Sequence, residues 1–209
     1  TKYNKLSSQL VHDSDNDAIF KVWSEYLSYV QLFLQSPIPS DFTVLKEQLH
    51  LCKIHESLVT NQRNALMYKI SIDSSMIRDI DVFKNKHVEI LKHLVERQNE
   101  IEARIDAWEK YRKGQFSLLE SIDDIEREKS LLQLKQIYIK SVPKVKSQIE
   151  EILVRVTETE NEIVQLKSDQ SKLLNFIDDI SSSSLRLEFT SVHQRLANIR
   201  ASLETWAGY

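Results

Sequence analysis

The sequence predicts an all-α protein in which two tandem three-helix bundles are joined by one continuous helix. Three observations carry this. Glycine and proline are scarce, two and three residues in 209. Ordinary domains hold roughly 7% and 5%, so turns should be few and helices long. Apolar residues recur at gaps of three and four, the spacing of a helix face packed in coiled-coil fashion. The chain also repeats itself. Pro37 and Pro143 lie 106 residues apart, and Phe83 and His87 return at the same offset as Phe189 and His193. Lys2-Tyr3-Asn4-Lys5 is echoed by Lys110-Tyr111-Arg112-Lys113. A near-constant period of this size indicates two copies of one helical unit, here residues 1–104 and 105–209.

The first helix carries Phe20, Trp23, Leu27, Val30 and Leu34 on one face. Leu6 and Leu10 keep its register, but His12 to Asp17 interrupts the apolar face and predicts fraying or a bend there. Ser36-Pro37-Ile38-Pro39-Ser40-Asp41 ends it, because the two prolines lack amide donors. Ser40 or Asp41 can cap the next helix. That second helix, from about Asp41 to Ile70, places Phe42, Leu45, Leu49, Cys52, Val59, Leu66 and Ile70 on one line. Leu51 and Leu58 flank the line, as expected of a helix that must feed two neighbours. Ser71 to Ser75 reads as a turn.

The third helix is the long one. Its seam runs Ile80, Phe83, His87, Ile90, Leu94, Ile101, Ile105, Trp108, then Tyr111, Leu118, Ile122, Ile125 and Leu132, with Leu119 and Leu131 beside it. Nothing breaks the pattern near residue 105. A helix from Asp79 to Lys140 would extend roughly 90 Å at about 1.5 Å per residue. It must serve one bundle with its first half and the other with its second. The fourth helix runs from about Pro143, suited to a first turn with Ser141 as cap, to Ile177. The stretch Asp178 to Ser184 lacks a seam and is rich in turn formers. Leu185, Phe189, Val192, Leu196, Ile199, Leu203 and Trp206 line the last helix.

Composition narrows the function. No apolar run nears the ~20 residues of a membrane span. The single Cys52 excludes an intrachain disulfide and a cysteine metal cluster. A net charge of −3 gives no general attraction to nucleic acid or anionic membrane. The chain starts at Thr1 without a signal-peptide pattern, and reads as a piece of something longer. No His-x-x-x-His pair, phosphate-binding glycine loop or nucleophile elbow occurs. Asp123-Asp124 and Asp178-Asp179 are adjacent pairs, which do not face each other on a helix. No catalytic, cofactor-binding or metal-ligating residue is therefore expected. His87 and His193 read as half-buried packing residues, and Cys52 as a small buried hydrophobe.

Two clusters are candidates for binding a partner. On the first helix, Tyr26, Tyr29 and Phe33, with Val22, form a second stripe beside the apolar face. Tyrosine suits interfaces because it joins a large surface to a polar tip. The competing account is a widened core at a bundle end. The second cluster is Trp108, Tyr111 and Phe116 around Gly114, near the predicted boundary. Ordinary packing competes there with a hinge or docking groove.

The whole pattern resembles a pair of spectrin repeats, three-helix units of about this length joined by a shared helix. Trp23 and the Phe83/Phe189 pair resemble that family's aromatic core positions. The likeness is imperfect: Trp23 has Lys129 at offset 106, and Trp108 and Trp206 follow their phenylalanines at different distances. Divergent repeats with proline after the first helix look most like the nesprins, with dystrophin and spectraplakin rods as alternatives. The resemblance implies a structural rod and docking scaffold linking nucleus to actin. It places the chain in the cytoplasm, at the nuclear envelope, through a membrane anchor elsewhere. Implied partners are neighbouring repeats, actin, or an actin regulator such as a formin, with no nucleic acid and no direct membrane contact. A membrane-shaping helical dimer is the reading from another class; it needs a basic face, which 28 basic against 31 acidic residues does not favour.

Overall fold

The computed structural model describes the backbone of residues 2–72, 80–136 and 142–208, and side chains of 17–72, 80–133 and 143–208. It is all-α, with five helices in order: α1 (Lys2–Gln35), α2 (Phe42–Ile72), α3 (Ile80–Gln136), α4 (Val142–Leu174) and α5 (Asp179–Ala207). The chain divides into two compact units, Thr1–Ala103 and Arg104–Tyr209. The division falls inside α3, which is helical throughout its 57 residues. The expected unbroken third helix is thus present, and it supplies side chains to both units. The predicted Ser71–Ser75 turn lies partly, and the Ser141 cap wholly, outside the described residues.

In the first unit, Leu27 and Val30 of α1, Val59 of α2, and Ile90 and Leu94 of α3 form one buried cluster. Phe33, Leu34, Phe83 and Leu91 pack against it. Phe20 meets Trp23 and Phe83 edge-on, both at 5.9 Å between ring centroids. The turn between α1 and α2 resolves which residue caps α2. The Asp41 carboxylate accepts from the amides of Thr43 and Val44, at 3.0 and 3.1 Å. Two of the four unpaired donors at the helix start are thereby satisfied.

In the second unit, Leu118, Ile122 and Ile125 of α3, Ile149, Val156 and Leu173 of α4, and Leu196 and Leu203 of α5 are buried. Ion pairs lace the rim between all three helices. Arg195 of α5 binds Asp123 and Glu126 of α3 at 2.5 and 2.6 Å. Arg200 of α5 binds Glu160 of α4 at 2.7 Å, and Arg155 of α4 pairs with Glu128 of α3. The Arg195 hydrogen bond holds the Glu126 carboxyl below its usual range, against partial desolvation.

Four details differ from the sequence reading. α1 continues as helix through His12–Asp17, where the sequence predicts fraying or a bend. The serine run 181–184 is helical, not a turn, because Asp178 caps α5 by accepting from the Ser181 amide at 2.7 Å. Leu51, Leu58 and Leu131 do not widen the buried stripes: all three are exposed. His193 is exposed as well, whereas His87 is fully buried. The letters repeat at these histidines; the surroundings do not.

Candidate partner-binding site

The first cluster is built across α1 and α2 around one histidine. His55 of α2 is buried, and its Nδ1 lies 2.7 Å from the Tyr26 hydroxyl. Three aromatic rings surround it: Tyr26 at 5.9 Å, Tyr29 at 5.8 Å and Phe33 at 5.1 Å between centroids. Burial pushes the His55 pKa down and the Tyr26 pKa up, the latter with help from neighbouring Tyr29. The imidazole is therefore neutral near pH 7, and the Tyr26 hydroxyl can donate to it. The sequence placed the three aromatics together; it did not show that a histidine from the next helix holds them.

Tyr26 and Phe33 are half-buried and belong to the packing of the first unit. Tyr29 is 61% exposed although its ring edge meets His55. Val22, one heptad before Tyr29 on the same line of α1, is also exposed. On α2, Leu51 and Leu58 stand four before and three after His55, so they share its side of the helix, and they are 43% and 45% exposed. Exposed apolar side chains thus flank His55 from both helices. Such surface can take the apolar side of an amphipathic helix.

A residue that the sequence reading passed over fixes this end of the unit. Arg97 of α3 is buried and reaches the C-terminus of α1. It donates to the Ser36 carbonyl at 2.8 Å, the Ser36 hydroxyl at 3.1 Å, the Pro37 carbonyl at 3.3 Å and Gln48 of α2 at 2.8 Å. Its guanidinium lies 5.0 Å over the Phe33 ring. A cation at a helix C-terminus meets the negative end of the dipole and the unpaired carbonyls. A positional signal existed: residue 97 falls on the seam between Leu94 and Ile101. Arg97 also lines a cleft of about 570 Å³ between α1 and α3, with Glu89, His93, Glu96 and Glu100 along one wall.

The second cluster is split by the structure. Trp108 and Tyr111 are buried in the second unit, while Phe116 is 65% exposed. Arg112 lies 5.5 Å over Trp108 and pairs with Glu188 of α5 at 3.2 Å. Only Phe116 of the three is available to a partner without rearrangement. At Gly114, an added Cβ would meet the Leu166 Cδ1 atom at 3.4 Å, so α4 passes close by.

Cys52 is fully buried, and its thiol pKa is raised by desolvation, only partly offset by Arg97. Among the described residues, no group of three histidine, cysteine or acidic side chains is placed to hold a metal ion. No described helix is long and apolar enough to cross a membrane.

No protein-family profile matches the chain, and no solved structure does. Over 208 residues, 100% of this chain, it is 32% identical to muscle-specific protein 300 kDa of Drosophila melanogaster. The match takes up 2% of that protein's length. All-helical in its described residues and aligned from end to end with this relative, the chain is homologous to a short stretch of a very long muscle protein.

Proposed function

We propose that the chain is a structural segment of a cytoskeletal linker of the spectrin-repeat family, of nesprin type, with nesprin-2 the member it resembles. In this reading the two units, residues 1–104 and 105–209, are spectrin-like repeats. α3 carries load from one to the other, and exposed faces give addresses to partners. The observation that carries it is the end-to-end match to a stretch of muscle-specific protein 300 kDa. The unbroken 57-residue α3 supports it, since a helix shared by two units is how tandem repeats of this kind are coupled. A place at the cytoplasmic face of the nuclear envelope, through an anchor elsewhere in the parent protein, belongs to the same proposal.

The docking part of the reading rests on Tyr29, with Tyr26 and Phe33 behind it. The partner proposed is an actin regulator such as a formin, or actin itself. The test is co-purification of the 209-residue chain with a formin N-terminal region, alongside sedimentation with actin filaments. Binding that is lost in the Tyr29→Ala, Phe33→Ala double variant, while its helicity is retained, supports the proposal. Absence of binding to either reduces the segment to a passive spacer, as in a dystrophin or spectraplakin rod.

A further inference from the structure

The two units treat their histidines differently. Among its described residues the first holds two in its interior: His87 is 0% exposed and His55 is 7% exposed. The second holds one, His193, which is exposed. Position 193 is the repeat counterpart of 87, so the contrast is set by surroundings, not by spacing.

Among the described residues, no carboxylate is paired with either buried ring. His87 of α3 has its Nδ1 2.8 Å from the Phe83 carbonyl and its Nε2 3.3 Å from the Gln62 side-chain oxygen on α2. The Phe83 ring stands edge-on at 4.6 Å. Among the described residues, the charges that bear on it are two cations, Arg63 of α2 and Lys86 of its own helix. Gln62 can turn either end of its amide toward Nε2, so a hydrogen bond survives protonation. The Phe83 carbonyl favours the charged ring, but burial, the largest effect, and the two cations oppose it. Around His55 stand the rings of Tyr26 and Tyr29 of α1. From α3, Arg97 covers the adjoining Phe33 ring. Each imidazole is thus buried against aromatic rings, and a proton placed on it must be carried in a dry setting.

We propose that the first unit has a proton-sensitive core, built on neutral His55 and neutral His87, which mild acid loosens while the second unit stays closed. Burial lowers both histidine pKa values, in agreement with this geometry. The sign follows from linkage. A histidine whose folded pKa lies below its unfolded value of about 6.5 binds fewer protons folded than unfolded. Its stabilisation is complete above pH 6.5, declines as pH falls below that, and levels off at the folded pKa. The largest slope is about tenfold in the folding equilibrium per pH unit for each histidine. The Tyr29 ring rests on His55 and would be displaced in the same step.

The test is amide hydrogen exchange of the full chain from pH 7.5 to 5.0, corrected for intrinsic rates and read separately in α2 and in α4 and α5. Protection in α2 should fall by up to about a hundredfold per pH unit below 6.5, with the two histidines acting together. Protection in α4 and α5 should hold. Equal pH dependence in both units overturns the proposal. The His55→Gln, His87→Gln double variant should lose the slope in α2; a retained slope also overturns it. Should that variant not fold, imidazole NMR titration of the unaltered chain decides. Buried-ring resonances that titrate below 6.5 uphold the proposal, and titration at or above 6.5 refutes it.

Discussion

Arg97 shows how one side chain can organise the end of a helical unit. Its guanidinium satisfies carbonyls at the α1 terminus and Gln48 of α2, and covers Phe33. Replacement by Ala would leave buried acceptors without donors and uncover an aromatic face. Arg97→Ala should cost about 2–4 kcal/mol, measured as a shift in urea unfolding of the first unit. Arg97→Lys should recover only part of it, since a single ammonium cannot reproduce the planar fork. This residue was hidden in the sequence because arginine on a charged helix looks like solvated surface. Only its seam position, between Leu94 and Ile101, pointed inward. His87 and His193 show the converse. They share a repeat position and a phenylalanine four residues earlier, yet His87 is buried with Gln62 of α2 at 3.3 Å from its Nε2, while His193 is exposed. Burial of a polar residue depends on what the facing helix brings, and spacing within one helix cannot report that.

On the scale of the element, α2 separates what faces the core from what does not. Leu45, Cys52, Val59 and Leu66 are buried to completion, whereas the adjoining line Val44, Leu51 and Leu58 is exposed. The sequence offered both lines as apolar, and no rule of periodicity could tell a wide core stripe from a core stripe beside a surface one. Mutation can. Leu45→Ala should destabilise by about 2–5 kcal/mol through lost burial and a cavity. Leu51→Ala should change stability by no more than about 0.5 kcal/mol. Equal costs in thermal unfolding would mean that Leu51 is covered in solution, by a partner or a second copy. α3 gives a second case. Gly114 sits in the middle of a helix, where glycine is about 1 kcal/mol worse than alanine. A Cβ there meets only the far end of the Leu166 side chain, at an ordinary contact distance. Gly114→Ala should therefore stabilise the second unit by about 0.5–1 kcal/mol. A loss would show that the close approach of α4 at this point is needed. The start of α5 was misjudged from sequence because four serines suggest a turn. Asp178 captures the Ser181 amide and makes the same residues a capped first turn.

At the scale of the whole molecule, the five helices and the continuity of α3 were readable, because proline placement and apolar period are properties of the chain itself. The sources of stability in each unit were not. The first unit relies on aromatic rings, two neutral histidines and a buried arginine. The second relies on arginine–carboxylate pairs that join its three helices at the rim. Two consequences distinguish them in one sample. Glu126 has a lowered pKa, held down first by its hydrogen bond from Arg195. A lowered carboxylate contributes stability that is present above its unfolded pKa and is lost as pH falls through the folded one. The second unit should therefore weaken only below about pH 4.5, the ordinary glutamate range, well under the window proposed for the first. Salt should act the other way. At 1 M the screening length falls to about 3 Å, and exposed pairs worth about 0.2–1 kcal/mol each lose most of their value. Arg155, Arg195 and Arg200 are partly exposed, so raising NaCl from 0.05 to 1 M should lower amide protection in α4 and α5 more than in α2. In the first unit, Lys53 of α2 pairs with Glu102 of α3 only at 3.9 Å, with both side chains about half exposed. That unit's response should be small. If salt lowered protection equally in both, the arginine network of the second unit would be decoration on a core that needs none of it.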